Sequence, residues 1–197
     1  MKHIDEETLE KDVNYRYQYV AEFTGFDEQD VKAIHGAAGH LAPLIPSIVE
    51  RTYERLLAYD ATARHFIPRQ HGYEGPLPES LESLGAGHPQ IQFRKEHLSR
   101  YLMHLIGHAY NDKMVSYLDM AGKMHTQKAG NESIDVPLVQ MNALLGLLSD
   151  SLFSAILGLK LDPDAQARML RAFNKLLWIQ NDLVSRHYQS NGESVSQ

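Results

Sequence analysis

Apolar residues recur three and four positions apart through most of the chain, and no stretch alternates apolar with polar in the way a half-buried strand does. The pattern predicts an all-α protein of about eight helices. Tyr15, Tyr19, Phe23 and Phe26 form an aromatic stripe on a short helix over 14–26, which reads as a packing segment and ends at Gly25. Asp27 caps the next helix, with Asp30 three residues on and Val31, Ile34, Ala38 and Leu41 along one face. After Pro43 and Pro46, a helix over 47–59 turns Ile48, Val49, Thr52, Tyr53, Leu56 and Leu57 inward. Asp60 starts a brief helical turn that ends at Phe66.

The stretch 67–89 is too broken by proline and glycine for a regular element and reads as a packed functional loop. From Gln90 the helical spacing resumes with Ile91, Phe93, Leu98, Tyr101, Leu102, Leu105 and Ile106. Arg94, Lys95 and Arg100 read as a solvated face of that helix. Asn111 and Asp112 restart the chain into a helix carrying Val115, Leu118, Met120, Ala121 and Met124, with His125 at its C-terminal edge. Turn chemistry follows from Thr126 to Gly130, then Asn131 and Ser133. Val136-Pro137 opens a segment over 138–160 that is apolar almost all round, the mark of a buried helix. Asp162-Pro163 starts the last helix, over 164–188, which carries Phe173, Leu176, Trp178, Ile179 and Leu183. Residues 1–12 and 189–197 read as flexible tails.

A chain of 197 residues with 43% hydrophobic and 22% charged residues suits one domain. The net charge of −6 argues against a nucleic-acid partner. The absence of cysteine excludes disulfides and thiolate ligands. An acidic start without an apolar core, and no apolar run near the ~20 residues needed to cross a bilayer, point to a cytoplasmic protein with no membrane partner. The candidate chemistry therefore lies among the eleven histidines. His104 and His108 have the i, i+4 spacing of a helical metal pair, without an acidic third ligand. His125, on spacing alone, is a charge partner at a helix end or a surface residue. Tyr53 is either a core tyrosine bonded to a backbone carbonyl or a donor facing a pocket.

A resemblance changes the weight of these residues. AGKMH followed by a short polar loop and VPLVQMNALLG is similar to the proximal-histidine segment of protoglobins and globin-coupled sensor domains. FRKEHLSRYLMHLI resembles their distal helix, and RYQYVAEFTGF their extra pre-globin segment. The likeness runs from about Asn14 to Tyr188. It implies a globin-like 3-over-3 helical sandwich with an added N-terminal helix, holding haem b (iron protoporphyrin IX), with His125 as the iron ligand. Tyr53 then faces the distal side, with His97 the alternative contact to a bound ligand. Phe66, thirteen residues on, packs flat on the porphyrin. Phe93 and Leu98 line the ligand side, while Met124, Leu144 and Leu147 complete the slot for the planar group. The 67–89 loop becomes a lid over one haem edge.

The implied function is binding of O2, CO or NO as a sensor, carrier or scavenger. The last two long helices form the homodimer interface of the family. No transmitter domain follows the last helix, so a signal would pass to a separate partner. The alternatives are a haem enzyme, a NO dioxygenase or peroxidase-like protein needing an external reductase partner, and a haem-free helical interaction module.

Overall fold

A computed structural model describes residues 1–129 and 133–189. The helices are α1 (Glu6–Lys11), α2 (Val13–Thr24), α3 (Glu28–Leu41), α4 (Ile45–Leu57), α5 (Asp60–Ala63), α6 (Pro89–Gly107), α7 (Asp112–Lys123), α8 (Leu138–Gly158) and α9 (Pro163–Ser185). Short 3₁₀ turns follow α3, α5 and α7, and no strand occurs among the described residues.

Local chemistry sets most of the boundaries. Asp12, Asp27, Asn111 and Asp162 each accept backbone N–H bonds as N-caps, and Asp27 and Asp30 close a reciprocal capping box. Gly25 ends α2 in the left-handed region at φ 68°, which a side chain would oppose. The first residues carry a short helix of their own. Asp5 caps α1, its backbone N–H donates to the Tyr15 hydroxyl at 3.1 Å, and Lys2 pairs with Glu22. Gly130 and Asn131 of the expected turn, and residues 190–197, lie outside the described residues.

α9 packs against α3, α7 and α8, α6 against α3 and α4, α8 also against α4, and α2 is added against α7 and α9. α9 is the central element, and Phe173, Leu176, Ile179 and Leu183 are fully buried along it. Three polar clamps hold neighbours to it. Arg16 of α2 forks onto Asp182 at 2.7 and 2.8 Å, Lys175 meets Asp30 of α3 at 2.7 Å, and Arg186 meets Asp119 of α7 at 2.7 Å. The result is the globin sandwich.

Three expectations change. The aromatic stripe is only partly inward: Phe26 is in the core and Tyr15 and Tyr19 are half-buried, but Phe23 is exposed with its ring tilted beside Tyr19, and within α2 Arg16 and Ala21 are the residues buried. Arg16 takes the inward face because its carboxylate partner lies on α9. α8 is not buried all round. Met141, Leu148, Ser151, Leu152 and Ile156 face α4 and α9, but Val139 and Leu157 are exposed and Leu144, Leu145 and Leu147 half-buried. With 21 residues and a mean hydropathy of 1.4, α8 is also long and apolar enough to cross a bilayer by length and composition, against the expectation of no such run. One face of α8 packs against α9 and α4.

Candidate functional site

α7 delivers His125. Met114, Leu118 and Gly122 form a buried i, i+4, i+8 stripe, so the helix lies with that face down on α9. Met124 is the C-cap, and the chain turns at once: the His125 N–H bonds the Gly122 carbonyl at 3.2 Å and Thr126 closes on Lys123 at 3.0 Å. The His125 carbonyl accepts from Val136 at 2.9 Å, fixing the backbone on the other side of the loop. The His125 ring is anchored too. Nδ1 lies 2.7 Å from the Ala121 carbonyl. A carbonyl only accepts, so Nδ1 carries the proton and Nε2 keeps a lone pair. Burial pushes the ring's pKa down, the Ala121 bond opposes this, and the neighbouring Arg94 and His65 add to the lowering. His125 is thus a neutral imidazole with a fixed tautomer and one free ligating nitrogen, the form a metal takes.

Tyr53 is buried on the inward face of α4 with Ile48, Val49 and Thr52. Its ring centroid lies 5.6 Å from that of Phe66. Burial drives the phenol pKa up, so the hydroxyl stays protonated, and it has no hydrogen-bond partner among the described residues. It is therefore an uncommitted donor. The Arg94 guanidinium lies over the Phe66 ring, 5.0 Å from its centroid. Phe66 thereby links Tyr53 of α4 to Arg94 of α6, and the Arg94 charge acts on both Tyr53 and His125.

The other expected lining residues fall in different places. Leu98, Leu144 and Phe66 pack against the main core. Leu147 is half-buried on α8, and Met124 is largely exposed at the end of α7. Phe93 looks toward the loop: its ring lies tilted against those of Tyr73 and His97, with centroids 5.3 and 4.4 Å away. His97 bonds the Phe93 carbonyl through Nδ1 at 2.8 Å and meets Arg100 through Nε2 at 3.1 Å, so both ring nitrogens are engaged. His104 and His108 stack on each other at 3.8 Å beside Tyr117. No group of three or more metal-ligating side chains occurs among the described residues.

Several residues of the slot carried no expectation. Gln90, fully buried, donates to the Phe66 and Pro68 carbonyls at 2.6 and 3.1 Å and accepts from the Gln70 N–H at 3.2 Å. It latches the 67–89 loop to α6. Arg94 was read as solvated, yet it lies on the inward face with Ile91 and Leu98. The signal was present in the sequence, because Arg94 and Lys95 interrupt the apolar stripe 91, 98, 102 at its own spacing. Lys95 is buried as well and meets Glu50 at 2.6 Å.

A planar, mostly apolar group with an acidic edge fits these residues. Two buried polar atoms near Phe66 lack a partner among the described residues, Arg94 Nε and His65 Nε2, and Arg94 Nη2 meets the His65 carbonyl at 3.4 Å. Buried polar atoms are normally satisfied, and such a pair fits a site for a bound group. Burial and Asp135 together push the Tyr188 phenol up to about 12.

Fold and slot together define a globin-type helical sandwich. The sequence profile of the Protoglobin family matches residues 13–194, and the chain belongs to that family. Among solved structures, the globin domain of a Geobacter sulfurreducens globin-coupled sensor is similar, with a TM-score of 0.69 and 18% identity over 88% of this chain and 97% of that domain. At that identity the likeness speaks for the fold. Comparison with curated proteins gave no match. Membership of a globin family implies a haem cofactor and the binding or sensing of gases.

Proposed function

We propose that this chain, as one globin-like domain in the cytoplasm, binds O2, CO or NO at haem b ligated by His125 Nε2, acting as a gas sensor, carrier or scavenger. The observation that carries the reading is the His125 ring: Nδ1 is committed to the Ala121 carbonyl at 2.7 Å, and Nε2 is left neutral and free. Haem supplies the iron that binds the gas. The protein's residues do the rest. Ala121 orients the imidazole and raises its basicity. Leu98, Leu144 and Phe66 exclude water from the disc. Gln90 holds the 67–89 loop against α6 as a lid over one edge. The test is reconstitution with haem: a Soret band that CO shifts after reduction supports the reading, and a chain that takes up no haem refutes it.

Tyr53 is the proposed distal donor. Its hydroxyl has no other partner among the described residues, and bound O2 carries more negative charge than bound CO. A hydrogen bond is worth about 1 kcal/mol, up to roughly 3 with a charged acceptor. Tyr53→Phe is therefore expected to speed O2 dissociation about five- to a hundredfold while CO dissociation stays within about twofold. Flash photolysis and stopped-flow measure both, and equal O2 rates in wild type and variant would remove the donor role from Tyr53.

The protein is also proposed to form a homodimer through α8 and α9. Val139 and Leu157 on α8 and Trp178 on α9 leave large apolar side chains in water. Buried tryptophans dominate interface energies at about 2 kcal/mol or more. Trp178→Glu should weaken the dimer at least about thirtyfold in sedimentation. A dimer constant equal to wild type would place the interface elsewhere.

A further inference from the structure

Arg94 is a cation on the apolar stripe of α6, three residues after Ile91 and four before Leu98. Its guanidinium carbon lies 5.0 Å over the Phe66 ring, whose other aromatic neighbour is Tyr53. Phe66 thus has the guanidinium of α6 over its ring and the Tyr53 ring of α4 beside it, and the Arg94 charge also acts on Tyr53 and on His125. No carboxylate among the described residues pairs with it. Lys95, the next residue, differs in this: it has Glu50 at 2.6 Å. The bonds Arg94 does make are long ones, Nη2 to the His65 and Pro68 carbonyls at 3.4 and 3.3 Å, and its buried Nε makes none. A guanidinium carries five N–H donors and stays charged in proteins, so most of this fork is uncommitted. A buried charge is costly until a partner of opposite sign completes it.

We propose that Arg94 is a specificity residue of the slot, and that it gives the site a preference for small anionic ligands over neutral ones. The inference rests on the reading of His125 as the haem ligand. Tyr53 contributes a neutral donor on the α4 side, and Arg94 adds a full charge and a planar fork from α6. An anion between them gains a charge-assisted hydrogen bond, the stronger kind. A neutral ligand of the same iron gains nothing from the charge. Arg94 has one other use, as a clamp for a haem propionate, and that use makes a different prediction.

The probe is azide, titrated by absorption into the ferric, haem-loaded full chain, with imidazole as the neutral ligand. Arg94→Gln is expected to weaken azide about tenfold or more and imidazole less than about twofold. Arg94→Lys keeps the charge without the fork, and an intermediate loss of about threefold is expected for azide alone. This second variant carries the test if the glutamine variant does not fold. Equal shifts for azide and imidazole overturn the proposal. So does unchanged azide affinity with faster haem loss to an acceptor globin, the signature of a propionate clamp. The underlying haem reading fails separately, in a wild type without a Soret band or a His125→Ala protein that keeps its haem.

Discussion

His125→Ala is expected to lower haem affinity by more than about a hundredfold and to leave little Soret absorbance in the purified protein. The reason is the chemistry of one nitrogen. Residues that merely orient a metal-bound histidine change metal affinity about 10- to 100-fold when altered, and removing the ligand itself exceeds that. No other histidine near the slot offers a comparable substitute. His97 has both ring nitrogens engaged. His65 has a free Nε2, but burial and the positive neighbours Arg64 and Arg94 weigh on its ring. The fold is expected to survive, because His125 lies outside the core and past the last residue of α7. Far-ultraviolet dichroism near wild type, with the Soret band gone, is the expected pair of observations. His125→Gly with added imidazole provides the converse: the free base enters the space left by the side chain and restores the band. A His125→Ala protein that retained its haem and its CO spectrum would remove His125 from the iron.

The sequence made the helices legible because helix starts and stops are local chemistry. Asp27, Asn111 and Asp162 cap through bonds two and three residues on, and Gly25 stops α2 through its own backbone. The order of the family-like pieces made the sandwich legible through the resemblance rather than through spacing. What failed was direction. The Tyr15, Tyr19, Phe23 and Phe26 stripe has helical spacing, yet spacing cannot say which members meet the protein: Phe26 reaches the core, Phe23 does not, and Arg16 won the inward face of α2 through Asp182, which is distant in sequence. α8 failed for the same reason: apolar positions all round do not tell how many sides find neighbours. Arg94 was misplaced because charge outweighed periodicity in the reading. Two cations set at 94 and 95 within the stripe of Ile91, Leu98 and Leu102 were the clue, since a charged residue at core spacing announces a partner inside. Phe93 and Arg94 differ by one position and by about 100° around the helix, which sends one to the loop and the other over Phe66.

Gly122→Val is expected to destabilise the protein by about 3 kcal/mol, the upper end of the cost of overpacking. At Gly122 a Cβ would lie 2.8 Å from the Val184 Cα and 3.1 Å from the Leu183 carbonyl oxygen. Both are backbone atoms of α9, the central helix, and neither can turn aside as a long side chain could. Only separation of α7 from α9 makes room, and the Asp119 clamp to Arg186 and His187 crosses the same seam at 2.7 and 2.9 Å. For a chain of this length the melting temperature should fall roughly 6–12 °C. Gly36 supplies the control. It is also a helical glycine, on α3, but a Cβ there meets nothing within 4 Å. Gly36→Ala should gain about 0.5–1 kcal/mol, because alanine loses less backbone entropy in a helix. The two glycines thus predict opposite signs from the same residue type. The effect at Gly122 also reaches the site, since His125 follows three residues later and its N–H bonds the Gly122 carbonyl. Lifting α7 moves the imidazole, so haem dissociation should quicken in Gly122→Val and stay unchanged in Gly36→Ala. If Gly122→Val melts with wild type, the α7–α9 distance is set by something other than this glycine, and His125 is positioned by its loop bonds alone.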